Sequence, residues 1–308
     1  MWVMSNAIEI RDLTKTYGTR RGLAGLTLDV REGEVFGYLG PNGAGKSTTI
    51  RLLLDLIRPT SGSATVLGLD PRADGVAMRR RIGYLAGDFV VDGRQRVRDC
   101  LRFLGDLRGG VAQHRIDDLA ARLGLDQTAT IKSLSKGNRQ KVGLVQAFMH
   151  TPELLILDEP TSGLDPLVQQ TFLEMVTEAA ANGQTVFMSS HIMDEVEAVA
   201  DRIAILRDGA VVALDTVADL RAGATRRIEI RFAAPVAVDE FCALPGLVDP
   251  VLDDSGTVLR ARLTGTPDAV VKAAARHTVT ALLTTEPHLD EIFHSHYASA
   301  DAAPQPAA

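Results

Sequence analysis

The first chemical signal lies in a short run, Gly40-Pro41-Asn42-Gly43-Ala44-Gly45-Lys46-Ser47-Thr48, which fits the pattern G-x-x-x-x-G-K-[ST]. Glycines let the backbone curl until successive N–H groups point at one spot. A helix beginning there adds its positive end, so loop and helix together grip phosphate oxygens. In such a cradle Lys46 reaches the β- and γ-phosphates of a bound nucleotide, and the Ser47 hydroxyl ligates Mg2+. The alternative is a glycine-rich turn that binds nothing, so the surrounding elements must decide. The second signal is Leu154-Leu-Ile-Leu-Asp158-Glu159, an apolar run ending in two acids. If the run is a strand, both carboxylates emerge at its C-terminal tip, where open α/β sheets bind ligands. Asp158 is then placed to hold Mg2+, directly or through water, and Glu159 to orient or deprotonate an attacking water. Two solvated acids at a strand end are the plainer counterpart.

Both signals need strands and helices to position them. Ile8 to Leu13, Leu26 to Val30 and Val35 to Leu39 read as strands, and Ile50, Leu53, Leu54 and Ile57 recur at helical spacing before Pro59 and Gly62. The glycine-rich run therefore sits between a strand and a helix, the context its chemistry requires. From about 94 to 150 the pattern is helical throughout. Apolar runs return at 154–157, 186–188 and 203–206, alternating with helical segments near 166–181 and 193–200, as expected of buried parallel strands. Beyond a boundary near 224, strand candidates at 228–232, 248–252, 258–263 and 279–283 and helices near 237–243 and 267–276 predict a small α+β domain over 225–297. An alanine- and proline-rich tail over 298–308 has nothing to bury and is expected to be disordered.

Composition narrows the function classes. The 308 residues are 45% hydrophobic and 23% charged, ordinary for a folded globular chain with one large and one smaller domain. A net charge of -6 supplies no general cationic surface, so nucleic acid is not an expected partner. Cys100 and Cys242 stand far apart without metal-ligand spacing, which suits a reducing compartment. No stretch reaches the ~18 continuous apolar residues of a spanning helix, and the first residues lack a signal-peptide pattern. The expected location is therefore cytoplasmic, with any membrane role requiring a partner.

Six motifs in one order give a specific resemblance: Tyr17, Gly40 to Thr48, Leu134-Ser135-Lys136-Gly137-Asn138, Leu154 to Pro160, Ser162-Gly163-Leu164-Asp165 and Ser189-Ser190-His191. Over about residues 7 to 222 the chain resembles the nucleotide-binding subunit of ABC transporters, of the drug- and lipid-exporter type whose permease is a separate polypeptide. The resemblance implies an α/β fold, a P-loop NTPase core with an antiparallel β subdomain and a helical subdomain at about 94–150. That ATPase domain spans 1–224, and the small C-terminal α+β domain is accessory. It implies an ATPase that binds ATP and Mg2+, pairs head to tail with a second copy of itself and drives a membrane permease from the inner face of the membrane. A soluble ABC-type ATPase acting on nucleic acid or ribosomes is the alternative, and a nucleotide sensor without catalysis is a second.

The same resemblance assigns the remaining roles. Tyr17 matches the ring that stacks on adenine; a core aromatic is the other reading. Ser135, Gly137 and Asn138 match the signature loop that meets ATP held by the opposite subunit, and Ser135 also suits an ordinary helix N-cap. His191 matches the switch histidine that touches the γ-phosphate and holds Glu159 and water. Asp165 matches the loop crossing the dimer interface, and it also suits an N-cap before Pro166. The chain departs from the family after Ile82-Gly83-Tyr84-Leu85, where a metal-ligating Gln is replaced by Ala86-Gly87-Asp88. Asp88 is the nearest metal-capable oxygen and is equally readable as a solvated loop acid. Glu286 to Phe293 resembles the end of an accessory domain. His288, His294 and His296 read as a surface cluster rather than a metal site.

Overall fold

Alternating apolar residues at Ile8, Ile10, Leu13 and at Leu23, Leu26, Leu28, Val30 give Asn6–Tyr17 (β1) and Arg20–Arg31 (β2) one buried face each, and the two strands close as an antiparallel hairpin. The computed structural model describes residues 5–223 and 226–285. Ser61–Val66 (β4) pairs along the other side of β1, completing a three-stranded antiparallel sheet in the order β2-β1-β4. Its exposed, small-residue sequence buries only Val66 and carries no apolar alternation, so the sequence patterns do not announce it.

The central sheet has a different logic. Val35–Leu39 (β3), Leu154–Asp158 (β6) and Thr185–Ser190 (β7) are buried at every residue, because parallel strands are covered on both faces. With Ile82–Leu85 (β5), Arg202–Arg207 (β8) and Ala210–Thr216 (β9) they form a six-stranded sheet in the order β5-β6-β7-β3-β8-β9. Stacked Phe36 and Phe187, ring centroids 5.9 Å apart, join β3 to β7 across its middle. The order matters for function: β7 lies between β3 and β6, so three strand tips open side by side at one edge.

The helices follow the strands. Lys46–Leu53 (α1) leaves the glycine-rich loop, and Gly75–Arg80 (α2) precedes β5. Val97–Leu107 (α3), Gln113–Arg122 (α4), a short 3-10 turn at Ile131–Ser133 and Lys136–Phe148 (α5) fill the stretch before β6 without a strand among them. Most of α5 is buried, packed on β5 and on its two sister helices. Pro166–Ala181 (α6) and Met193–Glu197 (α7) complete the unit; α7 lies so close to β3 that a Cβ on Gly37 would fall 2.1 Å from Val196.

The chain divides into two units, Met1–Asp215 and Thr216–Ala308, and a helix, Val217–Gly223 (α8), opens the second. In the second unit Arg226–Phe232 (β10), Leu247–Leu252 (β11), Val258–Leu263 (β12) and Val279–Thr285 (β13) form an antiparallel sheet in the order β11-β12-β10-β13. Ile228, Ile230 and Phe232 point into a core closed by Asp239–Cys242 (α9) and Asp268–Ala274 (α10). The anticipated tail at 298–308, the segment Glu286 to Phe293 and the histidines 288, 294 and 296 lie outside the described residues.

Candidate functional site

The register of the central sheet sets the site. Leu39 at the end of β3 is level with Ser190 of β7, and Ser189 is level with Asp158 of β6. The loop after β3, the acids after β6 and the histidine after β7 therefore leave the sheet at one edge, the ligand edge of an open parallel sheet.

In the loop, Gly43 and Gly45 have φ of 86° and 114°, a backbone region that L side chains rarely adopt. A Cβ on Gly45 would also come within 2.8 Å of the Gly22 carbonyl. No side chain caps the start of α1, so its leading N–H groups remain open to an anion. Lys46 is 5% exposed; its Nζ donates to the Gly40 carbonyl at 2.5 Å and lies 3.1 Å from Oε1 of Glu159.

The acids are equally constrained. Asp158, 5% exposed, accepts a hydrogen bond from the Ser189 hydroxyl at 2.6 Å. Glu159 adopts φ of 49°, a costly conformation of about 1–3 kcal/mol for a non-glycine residue, held by its N–H bonding the Ser189 carbonyl at 3.1 Å. Its Oε2 meets His191 Nδ1 at 2.6 Å. Its Oε1 is buried with no aligned hydrogen bond, only the charge of Lys46 beside it. Behind these groups Glu195 accepts from Thr161 at 2.6 Å and from Ser190 at 3.3 Å, and burial raises its carboxyl above the ordinary range. Burial, then the nearby Asp158 charge, pushes the Tyr84 phenol up.

Two adjoining clefts open over this edge. The first, about 410 Å³, runs from Tyr17 past the glycine-rich loop to Glu159. The second, about 440 Å³, holds Asp88, Asp158, Glu159 and His191, and both include Asn42, Ser47 and Arg51. Either volume suits a small ligand. Tyr17 is 46% exposed at the mouth of the first cleft, with Lys15 Nζ 5.1 Å from its ring centre, so it is not a core residue. Arg20, Arg21, Arg51 and Tyr84 also line the clefts and carried no signal in the sequence. An exposed arginine on a helix or hairpin looks like an ordinary solvated charge until the fold places it at the rim of a cleft.

Ser135, Gly137, Asn138 and Asp165 are not among the residues lining either cleft. Ser135 caps α5 by accepting from the Asn138 N–H at 3.2 Å, and Asp165 caps α6 by accepting from the Val168 N–H at 3.1 Å. Lys136 donates to Ser162 at 2.9 Å, and a Cβ on Gly137 would fall 2.3 Å from the Gly163 carbonyl. The start of α5 is thus seated on the loop that follows Glu159.

The residues at the edge fit a magnesium nucleotide. Gly40 and Gly45, where a Cβ would clash, shape the cradle, Lys46 supplies a buried cation, and the Ser47 hydroxyl with the Asp158 and Asp88 carboxylates is an all-oxygen donor set of the kind Mg2+ takes. Among the described residues, here or elsewhere, no group of three His, Cys, Asp or Glu could hold a metal, so the donor set at this edge depends on the Ser47 hydroxyl and on the nucleotide's own phosphates.

A model of the ABC transporter family matches residues 23–162. The daunorubicin resistance ATP-binding protein DrrA3 of Streptomyces coeruleorubidus is 34% identical over 298 residues, covering 93% of this chain and 94% of that one. This chain belongs to the ABC transporter family. Its ABC cassette is 39% identical over 220 residues to YbhF of Escherichia coli, named a probable multidrug ABC transporter ATP-binding protein; the match covers 70% of this chain but only 38% of that longer relative. The cassette superposes on a solved ATP binding subunit of an ABC transporter with a TM-score of 0.65 and 32% identity, over 70% of this chain and 92% of that one. A dimeric cassette bound to ADP and Pi shares the fold at a TM-score of 0.62 and 22% identity. The ABC fold expected from the six motifs is the fold observed. Among the described residues no helix is long and apolar enough to cross a membrane.

Proposed function

We propose that this chain is the ATP-binding and hydrolysing subunit of an ABC exporter, acting as a pair of copies on a separate membrane permease. The observation that carries the reading is Glu159 held between the Lys46 ammonium at 3.1 Å and the His191 imidazole at 2.6 Å, at the mouth of a phosphate cradle. On nucleotide entry Lys46 turns from Glu159 to the terminal phosphates, releasing Oε1 to accept a proton from water. His191 holds the other carboxylate oxygen, so the glutamate presents the freed one in a fixed direction. Ser47 and Asp158, with Asp88 beside them, would hold Mg2+, which would supply positive charge against the phosphates. Tyr17 supplies a stacking face for the base.

Ser135, Gly137, Asn138 and Asp165 do not line the clefts of their own chain, although Lys136 beside them reaches the rim of the second, and this suits a role across a head-to-tail dimer in which the start of α5 meets the nucleotide of the opposite copy. ATP then closes the pair through γ-phosphate contacts that ADP lacks. The names of the relatives, multidrug transport and daunorubicin resistance, support a drug or similar compound as cargo, and the permease would place the chain on the inner membrane face. Phosphate release by the purified chain with MgATP tests the reading; no turnover by a well-folded sample that binds ATP would overturn it. Co-purification with a polytopic membrane protein from native membranes tests the partner.

A further inference from the structure

Gln140 lies in α5, away from both clefts and 3% exposed, yet its side chain reaches the site. Its Nε2 donates to the Glu159 carbonyl at 3.1 Å and to the Pro160 carbonyl at 3.1 Å. Two carbonyls can be satisfied only by donors, so the amide orientation is fixed by its partners. The peptide held is that of Glu159, whose φ of 49° needs external support. Farther along the same helix Gln146 Nε2 donates to the Tyr84 carbonyl at 2.7 Å, at the start of the loop that carries Asp88. Between the two glutamines, a Cβ on Gly143 would come within 2.5 Å of Leu85. One helix therefore grips the backbones of both loops that deliver acids to the second cleft, and Ser135 forms its first cap.

We propose that Gln140 is a positioning residue for ATP hydrolysis: it ties α5 to the Glu159 peptide, so that a shift at the Ser135 end of the helix is passed to the glutamate carboxylate. The inference rests on the ATPase reading above. It requires no contact between Gln140 and nucleotide; the amide acts through the main chain. Arg122–Glu178 and Arg81–Glu153 also bridge separate segments, but each is an exposed pair remote from the clefts and none bears on the acids.

The test compares the full-length parent with Gln140→Met, which keeps side-chain length and removes both donors. The expected result is a kcat lowered about tenfold or more, with KM for ATP and the ATP affinity unchanged, since a small misplacement of a catalytic group is costly while the phosphate cradle is untouched. A second variant, Gln140→Glu, carries the test if Gln140→Met does not fold. Its carboxylate repels the two carbonyls, whereas its protonated form donates to one, so its kcat relative to the parent should rise as pH falls from about 8 to about 6. A purely structural role predicts no such pH-dependent ratio. Parent-like kcat for Gln140→Met, or a parent-like ratio for Gln140→Glu at every pH, overturns the inference. Absence of turnover in the parent would instead overturn the ATPase reading.

Discussion

His191 Nδ1 stands 2.6 Å from Oε2 of Glu159 while the other oxygen of that carboxylate has only Lys46 Nζ beside it, 3.1 Å away and not aligned as a hydrogen bond. One oxygen is thus fixed and the other is electrostatically satisfied but geometrically free. This asymmetry is what a group that must accept a proton in one direction requires.

Glu159→Gln keeps the shape of the side chain and removes its basicity. Turnover should fall by about 10²–10⁴-fold with ATP affinity retained, read by phosphate release and by calorimetry on the same sample. Normal hydrolysis by this variant would mean that another group activates water.

Lys46→Ala removes the buried cation of the cradle. A charge-assisted contact of this kind contributes about 1.5–3 kcal/mol, so ATP affinity should drop roughly 10- to 100-fold, measured by titration calorimetry with Mg2+. Unchanged affinity would reassign the loop as a structural turn.

His150 provides a pH signature in the first unit. Burial, and secondarily the charge of Arg108, lowers its pKa to about 4. Its Nε2 lies 2.9 Å from the Arg108 guanidinium and 3.3 Å from the Ile82 carbonyl. The imidazole is therefore neutral in the folded chain and charges more easily once unfolded. Its contribution to stability is present above about pH 6.5 and is lost as pH falls toward 4, an effect of about 1–2 kcal/mol at pH 5 after allowance for partial solvent screening. His150→Met should flatten the fall of Tm between pH 7 and 5 relative to the parent; parallel curves would refute it.

Gly137→Ala places a methyl group 2.3 Å from the Gly163 carbonyl. The start of α5 or the loop after Glu159 must move, at a cost of about 1–3 kcal/mol. A lowered Tm with a disproportionate loss of ATPase activity is expected. Full activity at an unchanged Tm would show that the contact is slack.

Much of the arrangement was legible because it is written in local patterns. The buried strands β3, β6 and β7 are mostly apolar runs; β3 ends just before Gly40, β6 on Asp158 and β7 on Ser190. β4 was not legible, since Ser-Gly-Ser-Ala-Thr-Val buries one side chain and owes its place to pairing with β1. Gln140 was also invisible: side-chain hydrogen bonds to a distant main chain have no spacing rule. Arg51 reads as an ordinary helical charge until the edge of the sheet brings Ser47 and Asp158 to the same cleft.

The strand order carries a consequence for how the chain acquires its activity. β7 is made after both β3 and β6, yet it is inserted between them, with its Ser189 bonded to Asp158 and its register set against Leu39. A nascent chain released only as far as Glu159 holds the lysine and the glutamate but has no wedge to set their separation. Nucleotide affinity should therefore arise late and abruptly during synthesis, once the segment through residue 191 has emerged, and a fragment truncated before Thr185 should not be retained on immobilised ATP.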